Sequence, residues 1–144
     1  TMSDEQITKM CTGNPKSLTC DQMMYAATLV KELNNKEKIY ITAIETYPNN
    51  AEPYCNAGVV AIKKGNIRHA KQLTNQAIEI DDLLAEAYNN LGIIAIFEND
   101  YRLAEEMFKE GDEIIGFAGL STCLDEATLN NIVVKKFHFR RKQK

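Results

Sequence analysis

The sequence predicts an all-α fold, a stack of antiparallel helix hairpins, because it contains an internal repeat with helical spacing. Residues 51–84 and 85–118 align without a gap and share 11 identities in 34 positions, where about two are expected from residue frequencies. The shared residues recur at steps of three and four, which is the spacing of the buried stripe of an α-helix. The repeat therefore predicts two copies of one helical unit.

Each unit is interrupted near its middle by turn-forming residues, Lys64-Gly65-Asn66 in the first copy and Glu98-Asn99-Asp100 in the second. Such residues end one helix and begin the next, so each unit is expected to be a helix hairpin. A glycine in the first helix and an alanine in the second indicate the crossing point, because small residues let two helices approach closely. These pairs are Gly58 with Ala70 and Gly92 with Ala104.

The pattern resembles the tetratricopeptide repeat, a 34-residue hairpin with an aromatic residue at position 4, glycine at 8, alanine at 20 and a bulky residue at 24. Gly111 and Gly116 depart from it, since alanine and proline are usual there. The resemblance implies a right-handed superhelical stack, an α-solenoid, and a role in binding proteins or peptides. Residues 85–118 match the motif at Tyr88, Leu91, Gly92, Tyr101, Ala104 and Phe108.

A third, degenerate unit is predicted upstream, at residues 17–50. Thr19 and Gln22 have the spacing of a capping box, which begins a helix. Met24 and Lys36 stand where the motif has small residues, so we expect a looser or shifted helix crossing in this unit. The ending of the motif's second helix recurs in Tyr40, Ala43 and Pro48-Asn49-Asn50.

The ends of the chain are predicted to lie outside the three repeats. Residues 1–16 form a lead-in with a short helix, because a capping-box pattern begins at Ser3. Residues 119–144 supply a C-terminal capping helix, through the helical rhythm of residues 124–134, and then a basic tail. Residues 134–139 also alternate as a β-strand does, and this alternative stays open.

The charge is unevenly distributed along the chain. The net charge is −3, but the last ten residues hold six of the 17 lysines and arginines and no acid, which leaves −9 on the remainder. An acidic body argues against a general nucleic-acid-binding surface, although the tail can contact an anion or fold back on the body. No apolar run approaches the roughly 18 residues of a membrane span. The hydrophobic fraction of 44% is that of an ordinary globular domain.

No residue pattern for catalysis is present. The sequence has no phosphate loop, dinucleotide fingerprint or calcium loop, and its two histidines have no nearby acid and nucleophile. The four cysteines lack metal-ligand spacing and are expected as small apolar core residues, with a Cys11–Cys20 disulfide left open. We therefore expect no enzyme activity, no cofactor and no metal site.

The resemblance implies where a partner would bind. In stacks of this family the first helices line the concave side through motif positions 2, 5, 9 and 12. Apolar side chains lie deep there and polar ones along one edge, which suits an amphipathic helix or an extended segment. Alternatively, the apolar members are buried by the chain's own closing helix or by a neighbouring protomer. The expected groove residues are Asp21, Tyr25, Thr28, Glu52, Cys55, Asn56, Val59, Ile62, Glu86, Asn89, Ile93 and Ile96.

Some members of the family bind the C-terminal carboxylate of chaperones through a clamp of lysine, arginine and asparagine. Asn56 matches the clamp asparagine of the second unit. Asp21 and Tyr25 stand where lysine and asparagine are expected, and Glu86 and Asn90 replace lysine and arginine. An acidic edge repels a carboxylate, so we do not expect co-chaperone binding of this kind.

Residues 18–66 also resemble repeat segments of bacterial cell-envelope proteins, which often accompany an outer-membrane or peptidoglycan-associated domain. The similarity lies in residues 18–29, in residues 36–40 and in Tyr47-Pro48-Asn49-Asn50. It implies a fragment of a larger envelope scaffold whose cysteines face an oxidising compartment. Without that resemblance the expected compartment is the cytoplasm.

The sequence therefore predicts a protein–protein interaction module that holds a peptide or a segment of a partner protein. The alternative is a structural repeat domain that self-associates as a homo-oligomer, or packs within a longer protein, with no ligand of its own. A third possibility is that residues 135–144 bind nucleic acid or an anionic membrane surface.

Overall fold

The structure, a computed structural model, describes the backbone of residues 1–120 and the side chains of residues 1–116. Within these residues every regular element is helical, as predicted. The predicted capping helix, the strand alternative and the basic tail lie outside the described residues. The elements are α1 (Asp4–Gly13), a 3-10 turn (Pro15–Ser17), α2 (Cys20–Thr28), α3 (Leu33–Thr46), α4 (Ala51–Lys63), α5 (Ile67–Ile80), α6 (Ala85–Phe97) and α7 (Tyr101–Leu120).

Capping boxes begin the first two helices, as the sequence predicts. The Ser3 hydroxyl accepts the Gln6 amide at 3.2 Å, and the Gln6 side chain accepts the Ser3 amide at 2.8 Å. Thr19 and Gln22 make the same reciprocal pair at the start of α2. Each box satisfies two backbone N–H groups that a helix N-terminus otherwise leaves without partners.

The hairpins α4–α5 and α6–α7 turn at the predicted positions. Gly65 and Asn99 each have a positive φ, 81° and 62°, in the left-handed region that glycine and asparagine tolerate best. Tyr54 and Tyr88, which are 34 residues apart, each donate a hydroxyl hydrogen bond to a carbonyl six residues earlier. The sequence repeat is therefore also a repeat of local structure.

Close packing at the two repeat glycines brings the helices of each hairpin together. A Cβ atom added to Gly58 would lie 2.8 Å from the Thr74 hydroxyl oxygen and 3.6 Å from the Ala70 carbonyl oxygen. A Cβ atom added to Gly92 would lie 2.5–2.7 Å from three ring atoms of Phe108. The contacts with Thr74 and Phe108 are shorter than ordinary ones, so these two positions need glycine for the helices to cross this closely.

The N-terminal part packs differently from the two hairpins. α2 packs less extensively on α3 than α4 does on α5, and α1 packs on α3 as well. Asp4 in α1 accepts the backbone amides of Lys31 and Glu32 at 3.0 Å each, which fixes α1 to the linker before α3. The lead-in helix is thus an integral layer of the core rather than an appendage.

The cysteines that the structure describes are buried and free. Cys11 and Cys20 contribute to the core with 0% and 6% of their surface exposed, and no disulfide joins them. Burial raises the pKa of both thiols. Cys55 is also buried and free, whereas Cys123 lies outside the described residues. The expectation that cysteines act as small apolar residues is confirmed for these three.

Candidate partner-binding groove

An acidic edge runs along the first turns of α2, α4 and α6. Asp21, Glu52 and Glu86 each occupy the second residue of their helix and all three are exposed. The helix dipole favours carboxylates there, because it places partial positive charge at the N-terminus, but at Glu52 burial and repulsion outweigh this effect. Partial burial raises the pKa of Glu52, and the charges of Asp21 and Glu86 raise it further. Asp21 and Glu86 are therefore each close enough to Glu52 to repel its ionised carboxylate.

A cleft of about 470 Å³ separates α2 from α4. Its floor consists of Met24 and Tyr40, which are 5% and 7% exposed. The Asn56 amide donates to the Met24 sulfur at 3.3 Å across the cleft. Burial raises the pKa of Tyr40, and the nearby carboxylate of Glu52 adds to this effect. The cleft is a pocket with an apolar floor and an acidic rim.

The rim of this cleft presents an aromatic side chain to solvent. Tyr25 is 68% exposed, although the apolar ring of a tyrosine is usually at least partly buried. Thr28, one helical turn further on, is exposed and donates its hydroxyl to the Tyr25 carbonyl at 2.6 Å. Tyrosines of this kind are frequent in binding surfaces because they combine a large apolar ring with a polar end.

The deeper part of the candidate groove contains aliphatic side chains. Val59, Ile62 and Ile93 are half-buried. Ile96 is 44% exposed at the end of α6, and Asn89 is exposed one turn after Glu86. The face of α4 and α6 therefore changes from acidic near the helix N-termini to aliphatic near their C-termini.

Cys55 does not line the groove as the sequence reasoning expected. It is 2% exposed, and the Asn90 amide donates to its carbonyl oxygen at 3.1 Å and to its sulfur at 3.3 Å. Burial raises the pKa of the Cys55 thiol to about 12, with smaller contributions from Glu86 and Glu52. Position 5 of the second unit therefore belongs to the contact between α4 and α6.

Sequence reasoning missed the structural role of Asn90, although a signal was present. Asn56 and Asn90 are identical across the repeat, and each amide reaches back to the first helix of the preceding unit. Asn90 is 3% exposed, and a buried amide is retained where its hydrogen bonds are satisfied. An asparagine at equal positions of a repeat thus indicates a bond between units.

A second depression, of about 210 Å³, extends the groove to the C-terminal end of the described fold. Helix α7 runs antiparallel to α6, so its residues 108–115 lie beside the first turn of α6. The contributions of α7 were not expected from the sequence, because motif positions assign the concave side to first helices alone. The lining residues are Ala85, Glu86, Asn89, Phe108, Gly111, Asp112 and Ile115.

Two simple requirements, a cluster of metal ligands and a membrane-spanning helix, can be checked in the part of the chain that the structure describes. No group of three or more histidine, cysteine, aspartate or glutamate residues there is arranged to hold a metal ion. None of the described helices combines the length and the apolar character needed to cross a bilayer.

The fold defines a helical repeat protein of the solenoid class, in which successive hairpins stack and first helices share one face. The family model of the tetratricopeptide repeat matches residues 51–82 and 85–115. The chain therefore contains tetratricopeptide repeats at these positions, as the sequence resemblance predicted. Such repeats generally act as protein–protein interaction modules.

Solved structures share this fold. One is the crystal structure of MamA, which is 15% identical to this chain in sequence. The match covers 94% of this chain and 82% of the MamA chain, with a TM-score of 0.62. Another is the TPR domain of Arabidopsis OM64, which is 17% identical. The match covers 96% of this chain and 99% of the OM64 chain, with a TM-score of 0.54. Both likenesses show the fold, a helical solenoid stack. A search of curated protein sequences finds no significant match.

Proposed function

We propose that this chain is a protein–protein interaction module, and that the groove formed by α2, α4 and α6 binds a segment of a partner protein. The observation that carries the proposal is the cleft between α2 and α4, where Tyr25 stands 68% exposed beside an apolar floor. Burying such a ring in a partner contact removes apolar surface from water, and tyrosine is among the residues that dominate interface energies.

The groove combines two kinds of contact. Its apolar part, from Met24 and Tyr40 to Ile96, can accept the hydrophobic side chains of an extended or helical segment. Its acidic edge, at Glu52 and Glu86, favours a partner with positive charge and disfavours an acidic one. The partner class that fits is therefore a peptide segment with apolar or aromatic anchors and flanking lysine or arginine residues.

The experiment is a selection of displayed random peptides on the purified full chain, followed by titration calorimetry of the selected peptides against matched variants. Tyr25→Ala is paired with Tyr101→Ala, because the two rings are 68% and 65% exposed but Tyr101 begins α7 away from the cleft. Ile96→Asp is paired with Ile41→Asp on α3, where the exposures are 44% and 45%.

Groove variants should weaken binding at least ten-fold, which is about 1.4 kcal/mol, whereas the matched controls should change it less than two-fold. Circular dichroism spectra of all four variants should match that of the parent. Selected peptides that bind groove and control variants with equal affinity would contradict the proposal. A selection that recovers no peptide sensitive to Tyr25 or Ile96 would contradict it as well.

A second candidate function is self-association, favoured by an apolar surface between α1 and α2. A depression of about 390 Å³ lies there, with Met10 44% exposed and Leu29 53% exposed at its rim. Sedimentation velocity at several concentrations tests it: self-association predicts a concentration-dependent dimer that Leu29→Asp abolishes. A monomer over the whole concentration range excludes this candidate.

A further inference from the structure

We propose that the basic C-terminal segment of this chain, residues 135–144, binds the acidic edge of its own groove and competes there with the partner. The inference rests on the proposed function, because it assigns a second occupant to the same groove. Three observations carry it: the charges of edge and tail, the position at which α7 ends, and the aromatic residues within the tail.

The acidic edge lacks a cation of its own within the described part of the chain. Lys64, Lys71, Arg102 and Lys109 pair with Glu37, Glu98, Glu106 and Glu105, none of which belongs to the edge. Burial raises the pKa of Glu52 most, and the charges of Asp21 and Glu86 raise it further, so a cation placed beside Glu52 would relieve part of an existing cost. The edge is thus a surface that positive charge would stabilise.

The tail has the complementary charge. Residues 135–144 contain six lysines and arginines and no acid, against 11 basic and 20 acidic residues in the remainder of the chain. Phe137 and Phe139 alternate with polar residues in this stretch. In an extended segment alternate side chains point to the same side, so both rings can face one surface. The tail therefore carries the cations and the aromatic anchors that the acidic edge and the apolar cleft would accept.

The position of α7 makes the tail's reach sufficient. Gly111 approaches the Ala85 carbonyl oxygen, to which an added Cβ would lie at 3.3 Å, and Ile115 lines the same depression as Glu86. Helix α7 thus passes the Glu86 end of the acidic edge at Gly111 and continues for nine residues, roughly 14 Å of helix, to Leu120. The 14 residues between Leu120 and Lys135 span up to about 45 Å when extended, and about 27 Å with residues 124–134 in the predicted capping helix. The edge crosses two helix spacings, roughly 20 Å.

Tethering makes a weak contact effective. A short flexible connection gives an effective concentration of roughly 1 mM. A tail that binds in trans with a dissociation constant of roughly 0.1 mM would then occupy its own groove in about nine molecules of ten. A partner would bind the wild-type chain about ten-fold more weakly than a chain whose tail is neutralised.

The test titrates a fluorescent synthetic peptide with the sequence of residues 135–144 against full-length proteins. The first protein is the wild type. The second, the tail-neutral protein, has all six basic residues of the tail replaced by glutamine. The third adds the edge substitutions Asp21→Asn, Glu52→Gln and Glu86→Gln to the tail-neutral protein. A matched control instead adds Glu5→Gln, Glu45→Gln and Glu79→Gln, which are exposed residues outside the groove.

The expected result is about ten-fold tighter binding of the peptide to the tail-neutral protein than to the wild type. The edge substitutions should weaken this binding at least ten-fold and the control substitutions less than two-fold. Raising the salt concentration should weaken it too, because exposed charges are screened. Equal affinity for wild-type and tail-neutral proteins overturns the inference, as does equal affinity for the edge and control variants.

Three further outcomes separate this inference from self-association and from the proposed function. If the wild type forms a concentration-dependent dimer that the tail-neutral protein does not form, the occupant is the tail of a second copy and the intramolecular contact is refuted. If peptides that require Tyr25 bind wild-type and tail-neutral proteins equally well, the inference fails while the proposed function stands. If the tail peptide binds but no partner peptide depends on Tyr25, the proposed function fails while the contact between tail and edge stands.

Discussion

Replacing Gly58 by alanine tests the helix crossing on which the groove depends. The new Cβ would lie 2.8 Å from the Thr74 hydroxyl oxygen, whereas ordinary contacts are 3.4–4 Å. Its other near neighbours, the Ala70 carbonyl oxygen and the Asn90 amide, lie at 3.6 and 3.7 Å and need not move. Thr74 is fully buried and donates its hydroxyl to the Ala70 carbonyl at 2.7 Å. Relief of the clash therefore requires that Thr74 shift and weaken this hydrogen bond.

The expected cost follows from three contributions. Overpacking of a core costs about 1–3 kcal/mol, and a weakened buried hydrogen bond costs about 1 kcal/mol. In the opposite direction, alanine in place of glycine inside a helix stabilises the helix by about 1 kcal/mol. Gly58→Ala should therefore lower the free energy of unfolding by about 1–3 kcal/mol. Thr74→Ala should lower it by about 1–2 kcal/mol, through the loss of one buried methyl group and of the hydroxyl hydrogen bond.

The decisive variant is the double substitution Gly58→Ala with Thr74→Ala. It should be as stable as Thr74→Ala alone, because the new methyl group fills the volume that threonine leaves. Urea unfolding followed by circular dichroism gives the four free energies. Additivity of the two single changes to within about 0.5 kcal/mol would refute the reasoning. Gly116→Ala is the control: no atom lies within 4 Å of its added Cβ, so it should stabilise by up to about 1 kcal/mol.

Three more predictions concern titratable groups. Glu52→Gln should raise the melting temperature at pH 7, because the raised pKa of Glu52 means that its ionised carboxylate destabilises the fold. This gain in melting temperature should shrink as pH falls toward 4.5 and vanish below it. Thermal scans at several pH values measure it. Asp4→Asn should lower the melting temperature at pH 7, because the amides of Lys31 and Glu32 lower the pKa of Asp4; this loss should disappear below the depressed pKa. Cys55, whose pKa is about 12, should resist iodoacetamide at pH 8 in the native chain and react fully in urea, as mass spectrometry would report.

Local features of the fold could be predicted from the sequence because they depend on residues close together in the chain. The capping boxes at Ser3 and Thr19 and the turns at Gly65 and Asn99 each involve a few consecutive residues. The crossing at Gly92 was predictable for a different reason: the repeat marks the position twice, and a glycine inside a helix is costly unless packing requires it. Periodicity and local chemistry thus suffice for the hairpins.

Contacts between units were harder to predict, because they depend on how one hairpin is placed on the next. Motif position 5 assigned Cys55 to the groove, yet the structure turns this residue toward Asn90 and buries it. Asp4 in α1 binds the backbone amides of Lys31 and Glu32, which are 27 and 28 residues further along the chain. No repeated sequence pattern predicts this contact. Ile115 reaches the groove from a second helix, outside the positions that the motif supplies.

The cleft between α2 and α4 has a cause in the degenerate first unit. In the second unit, Gly58 leaves room for Asn90, which lies 32 residues later in the first helix of the following unit. The Asn90 amide nitrogen would be 3.7 Å from a Cβ atom added to Gly58. In the first unit, the sulfur of Met24 accepts a hydrogen bond at 3.3 Å from the amide of Asn56, which also lies 32 residues later. Met24 therefore occupies the place of the repeat glycine, which supports the division that we propose, with repeats at 17–50, 51–84 and 85–118.

The consequence for function follows from the size of that side chain. Glycine at this position lets α4 and α6 pack directly on each other, whereas the methionine stands between α2 and α4 and leaves a cleft beside it. Lys36, in place of the repeat alanine, extends its amine to the Ala27 carbonyl at 3.1 Å and so satisfies the C-terminal end of α2. Of the two departures from the repeat pattern, Met24 thus lines the cleft next to Tyr25, whereas Lys36 acts at the C-terminal end of α2.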